Sequence, residues 1–122
     1  MGDVLQLIHT NVGYLVFIIL LVATFLAFRT ADGAPPVSRL TSLTMVLLDI
    51  HVTVGIILYV VGEWYGASFL VAVAHPVLAL AALAAGHVGI GRARRESNPR
   101  LAATGMAAAL VLVTAAIGVV SV

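Results

Sequence analysis

Four histidines, His9, His51, His75 and His87, are the side chains of this sequence best suited to chemistry. Each is followed four places on by a small residue: Gly13, Gly55, Ala79 and Gly91. Residues four apart lie on one face of a helix, a single turn away from each other. Each small residue is therefore expected to open a flat slot beside its imidazole. A planar macrocycle whose iron is ligated by that nitrogen would fit such a slot, and imidazole is a common axial ligand of heme iron. Two of the stretches echo each other over a longer run, HTNVGYLVF from residue 9 and HVTVGIILY from residue 51. Glycine and alanine are abundant, so composition alone accounts for some of the four coincidences.

The surroundings of these histidines are apolar. Of 122 residues, 62% are hydrophobic and 9% charged, against about 45–50% and about 25% in soluble chains. A membrane protein of one domain, residues 1–122, is the class that fits. Cysteine is absent, which excludes disulfides, thiolate metal sites and cysteine nucleophiles. All six basic residues are arginine, so a Schiff-base cofactor has no lysine to hold it. A net charge of +1 gives no nucleic-acid footprint. Met1-Gly2-Asp3 carries no positive n-region, and the first apolar stretch is expected to be retained.

A helix needs about 20 mostly apolar residues to cross about 30 Å of hydrocarbon, and four stretches meet that requirement: roughly 4–28, 38–62, 68–91 and 101–121. Each must be helical, because an open strand leaves backbone groups unpaired in lipid. RTADGAPPVS separates the first two spans, with Ser38 placed to cap the second. GEWYGAS turns the chain after the second, bringing Trp64 and Tyr65 to interfacial level with Glu63 beside them. GRARRESNPR reads as a charged loop before the fourth. Arg29, Arg39, Arg92, Arg94, Arg95 and Arg100 all fall in the first and third connections. The positive-inside rule then puts those connections in the cytoplasm and both termini outside. Short connections imply an all-α, up-down-up-down four-helix bundle. Ala82 with Gly86 is a small-xxx-small pair for close helix approach; on span 4 the similar pair Gly105 and Ala109 is read as a by-product of alanine-rich composition.

Measured from the inner span ends at about 1.5 Å per residue, His9, His75 and His51 stand about 28, 24 and 20 Å up, and His87 about 6 Å. Three imidazoles from three helices are thus expected to gather in the outer half. His9 with His75 is the best-matched axial pair, and His51 with His75 also stays open. His87 has no partner at its depth. It is also twelve residues from His75, about 120° around the helix, so one heme is expected and not two. Asp49 points away from His51's side of the helix. It is placed at the inner rim, paired with Arg29 or Arg39, orienting another helix's histidine, or relaying protons.

HTNVGYLVF, IHVTVGIILY and AHP, in that order on consecutive spans, resemble a family of small four-span bacterial membrane proteins known as cytochrome b-like. The resemblance covers essentially the whole chain and marks His9, His51 with Gly55 and Tyr59, and His75 with Pro76. It implies heme binding. That family usually carries Glu before the span 3 His-Pro and Gln two places after the span 2 histidine, where this chain has Ala74 and Thr53. A more distant likeness is to one half of heme A synthase. Here span 4 has no histidine and no Glu-x-x-His-Arg motif occurs, so that enzyme's chemistry is not carried over.

The expectation is a b-type cytochrome-like protein of a prokaryotic plasma membrane, more an electron carrier than a stand-alone enzyme. It would hold one heme b by two of His9, His51 and His75, with Gly13, Gly55 and Ala79 lining the pocket, and pass electrons from a quinol to a redox partner. Two other readings stand beside it. One is an accessory or assembly subunit of a respiratory complex, its histidines used for hydrogen bonds. The other is a metal or proton carrier using three imidazoles. A homo-oligomer is compatible with all three.

Overall fold

The computed structural model describes residues 2–121; Met1 and Val122, included in the one-domain expectation, lie outside them. The described residues form four long helices: α1 (Gly2–Arg29), α2 (Arg39–Val61), α3 (His75–Glu96) and α4 (Pro99–Val120). All are long and apolar enough to cross a membrane, α3 together with the turn that leads into it. The chain is a multi-pass, four-helix membrane bundle. α1 packs on α2 and on α4, and α3 packs on both α2 and α4, so the helices close into a ring.

Local signals explain the boundaries. The Ser38 side chain accepts from the Thr41 N–H at 3.1 Å, as its position before span 2 suggests. Ser97 stops α3 in a left-handed conformation, φ 49°, and the Asn98 side chain accepts from the Arg100 N–H to start α4 at Pro99. The arginine-rich stretch is not a loop. α3 continues through Arg92, Arg94 and Arg95 to Glu96, since arginine, alanine and glutamate all favour helix. Only Ser97 and Asn98 separate it from α4.

The core lies between small faces. Leu20, Ala23, Ala82, Met106 and Ala109 form one buried cluster, and Val16, Met45, Leu48, Val52 and Ile90 another. α3 and α4 touch at backbone level. A Cβ on Gly89 would lie 2.6 Å from the Gly105 Cα, and one on Gly105 would lie 2.7 Å from the Gly89 Cα. Gly105 and Ala109 are therefore packing residues, not composition alone: Gly105 meets Gly89, and Ala109 lies against Gly86. Such contacts are what drive association where lipid removes the hydrophobic incentive. Gly86 receives the tip of Met45 from α2.

The entry to α3 is irregular. Leu70–Ala74 form a π-helical turn directly before His75 and Pro76. Proline has no N–H for the carbonyl four residues back, and its ring crowds that carbonyl; here that carbonyl is Ala72. Widening the turn relieves the crowding, and the Tyr59 hydroxyl of α2 donates to the Ala72 oxygen at 3.0 Å. The irregularity thus ties α2 to the residue that presents His75.

Candidate functional site: a histidine-lined cavity between the helices

His9 and His51 stack face to face, with ring centroids 4.2 Å apart and planes 3° from parallel. Each ring occupies the notch of the other helix's glycine. A Cβ on Gly55 would come within 2.8 Å of His9 Cε1, and one on Gly13 within 3.1 Å of His51 Cε1 and Nε2. The slot expected beside each imidazole is therefore filled by the neighbouring helix's ring. Antiparallel helices carrying the same His-x-x-x-Gly meet in this way through a local two-fold relation, residue 9 opposite 55 and 13 opposite 51. The echo between the two stretches is this symmetry.

His75 stands edge-on to His9, centroids 6.3 Å apart and planes at 84°. Its Nδ1–H donates to the Ala116 carbonyl of α4 at 2.8 Å. A carbonyl can only accept, so this bond places the hydrogen on Nδ1 and leaves Nε2 as the free ring nitrogen. His9 Nδ1 is buried without a hydrogen-bond partner, a costly condition for a polar atom in an apolar surrounding. The three histidines of three helices are thus brought together.

Two connected cavities flank the rings. The outer, about 320 Å³, is bordered by Gln6, Thr10, Tyr14, Trp64 and Ser121 at its mouth. The deeper, about 380 Å³, is walled by Val16, Leu48, Val52, Ala79, Leu80 and Val113. His9, Gly13, His51, Gly55, Tyr59 and His75 line both. Each volume falls in the range of small-molecule pockets, about 300–1,000 Å³. Trp64 belongs to the mouth, whereas Glu63 and Tyr65 are exposed, Tyr65 standing edge-on to Tyr59.

His87 is elsewhere, and it does have a partner. Its Nε2 lies 2.8 Å from Asp49 Oδ1. The expectation of no partner took α3 to end at residue 91. With the helix running to Glu96, His87 is nine residues from that end and Asp49 ten from the start of α2, about 14 and 15 Å along the axes. Among the three roles open to Asp49, engaging a histidine of another helix is the one found, and the arginine pairing is not. The Arg100 guanidinium instead meets Asp32 at 2.8 Å outside the bundle core. Gly91 faces none of the other helices.

The chain matches no family model, no curated protein and no solved structure.

The geometry limits the chemistry. Imidazole lone pairs lie in the ring plane, so the parallel rings of His9 and His51 cannot converge on one ion. Among the described residues no trio of His, Asp or Glu side chains is grouped to hold a metal. The planes of His9 and His75 cross, so the limit on parallel rings does not apply to this pair. Two contributors were not singled out from the sequence: the Ala116 carbonyl and the Tyr59–Ala72 bond. Pro76 was the visible signal for the second, since it must leave the Ala72 carbonyl short of a donor.

Proposed function

We propose that the chain binds one heme b between His9 and His75 and serves as a small electron-carrying cytochrome of a prokaryotic plasma membrane. One observation carries this reading: His75 donates Nδ1–H to a backbone carbonyl and so keeps Nε2 free beside His9. Metal-ligating histidines almost always anchor their second nitrogen in this manner. The spacing agrees. An imidazole nitrogen lies about 2 Å from a bound metal, which puts rings on opposite sides of one ion about 6 Å apart between centroids; His9 and His75 stand at 6.3 Å. The unpartnered, buried Nδ1 of His9 and the cavities on both sides of the rings fit the same group.

When bound, the heme would supply a one-electron iron couple. Two histidine ligands leave no open iron position, which favours electron transfer over oxygen chemistry. The protein's part is positioning. His51 lies flat on His9 and holds its ring plane, Gly13 and Gly55 let the two rings reach each other, and the Tyr59–Ala72 bond fixes the turn that carries His75. The apolar walls keep water from the rings, while Gln6, Thr10 and Ser121 offer hydrogen bonds at the mouth. By the positive-inside rule the arginine-bearing connections are cytoplasmic and the cavity opens toward the other side, where a quinol and a redox partner would exchange electrons. The likeness to cytochrome b-like proteins supports the same assignment.

A second reading has its own observation. The His9–His51 stack already fills both glycine notches, as packing histidines in a cofactor-free assembly subunit would. Absorption spectroscopy of the purified protein separates the two. A Soret band, with an α band that sharpens on dithionite reduction, is expected. A protein that stays colourless after expression with ample heme, and after heme addition, contradicts the proposal and leaves the packing reading.

A further inference from the structure

The Asp49–His87 pair is left over by the cavity. The two side chains meet at 2.8 Å, yet they are 40% and 53% exposed on the outside of the bundle. Asp49 lies about 15 Å along α2 from Arg39 and His87 about 8 Å along α3 from Arg92, so both fall within the apolar, membrane-spanning length of their helices. Ionisable groups at that depth almost always face a bundle interior or a water-filled space, not lipid. Asp49 also keeps Oδ2, and His87 keeps Nδ1, with no hydrogen-bond partner among the described residues.

The surface around the pair has the form of a helix-packing seam. On α3, Leu80, Ala84, His87 and Gly91 follow one another at intervals of four, three and four, the spacing of a coiled-coil face. Val46 and Ile50 continue it on α2, both exposed. The small residues Ala84 and Gly91 flank His87 at either end. A Cβ at Gly91 would meet only Arg95 of its own helix, so this part of α3 is open to close approach from outside.

We propose that a second copy of the same chain sits on this α2–α3 face, in a two-fold dimer that encloses the Asp49–His87 pairs of both copies. The chemistry selects a second copy. As an imidazolium–carboxylate pair, each chain presents one carboxylate oxygen that accepts and one imidazole nitrogen that donates. A two-fold axis sets the nitrogen of one chain against the oxygen of the other and leaves neither unmatched. Interhelical polar contacts beside small residues are a common glue between membrane helices. The dimer stands independently of the heme assignment, because none of Asp49, His87, Ala84 and Gly91 lines the histidine cavity, and of the seam residues Leu80 alone borders it.

Since the natural chain has no cysteine, one introduced cysteine reports on one place. The experiment uses the purified full chain in liposomes at high lipid-to-protein ratio, oxidised and run without reductant. Ala84→Cys is expected to give mainly a disulfide-linked dimer, because a two-fold seam brings equivalent small positions within disulfide reach. Val111→Cys, on the exposed face of α4, is expected to stay monomeric. Adding His87→Leu or Asp49→Leu to Ala84→Cys should lower the dimer yield about fivefold or more, the scale of one lost interhelical polar contact. Equal cross-linking at positions 84 and 111, or a yield at 84 that ignores both pair-breaking substitutions, would overturn the proposal. So would a chain that is monomeric in liposomes but cross-links through position 84 to a different protein in native membranes.

Discussion

His9 and His51 lie flat against each other at 4.2 Å, and each ring stands over the glycine one turn along the partner helix. The His-x-x-x-Gly spacing therefore works across the α1–α2 interface. The glycine beside one histidine makes room for the other. Stacked aromatic rings of this kind contribute about 0.5–1.5 kcal/mol beyond their burial, and the two notches set the register of the whole helix pair.

The notches differ in tightness, and the difference is measurable. Gly55→Ala brings a methyl to 2.8 Å from His9, against 3.1 Å from His51 for Gly13→Ala. Overpacking of this kind costs about 1–3 kcal/mol. Thermal unfolding in detergent should rank Gly55→Ala as more damaging than Gly13→Ala. Gly118→Ala, which meets nothing within 4 Å, should be neutral or stabilising by up to about 1 kcal/mol from helix propensity.

Gly89 and Gly105 present a harder limit, because backbone faces backbone. Gly89→Ala or Gly105→Ala must push α3 and α4 apart, and each should destabilise more than Gly55→Ala. Once the helices have separated, the second methyl finds room. The double variant should therefore fall well short of the sum, as expected for residues in contact. Full additivity of the two unfolding free energies would show that these helices do not meet there.

Tyr59→Phe removes the donor to the Ala72 carbonyl and nothing else in the ring. A typical net loss is about 0.5–1.5 kcal/mol. The more telling readout is local: backbone amide exchange in residues 70–75 should accelerate, while that of α4 stays unchanged. An unaltered exchange pattern at the π-helical turn would mean that Tyr59 does not hold it.

Asp49 and His87 should show strong coupling. Removing His87 alone leaves an unpaired carboxylate within the membrane-spanning part of α2, where an aspartate is unfavourable by up to about 2.5–3.5 kcal/mol on an insertion scale. Replacing both by leucine removes the problem along with the pair, as with other ion pairs exchanged for apolar residues. Unfolding of Asp49→Leu, His87→Leu and the double variant should show the double more stable than His87→Leu alone. A double variant that is the least stable of the three would contradict the pairing.

Much of this architecture is readable in the sequence, and the limits have physical causes. Four apolar runs, the Ser38 cap and the one-ended distribution of arginine give the bundle because lipid admits little else. Helical rise alone brings His9, His51 and His75 to neighbouring heights. What the chain does not display is how helices face each other. The reciprocal notches, the Gly89–Gly105 contact and the Ala116 acceptor all depend on rotation and register between helices distant in sequence. His87 departs from its expected place for a different reason: GRARRE reads as a loop because it is charged, although most of its residues are good helix formers. Charge marks where the membrane ends; it does not mark where the helix ends.

Which imidazoles would hold the proposed heme is decided by the reduced-minus-oxidised absorption spectrum of three variants. His9→Ala and His75→Ala are each expected to lose the sharp α band, because each removes one of the two residues proposed to hold the iron. His51→Ala should keep that band, with weaker heme retention, because it removes only the ring that steadies His9. If His51→Ala abolishes the band while His9→Ala or His75→Ala retains it, the assignment of His9 and His75 is wrong.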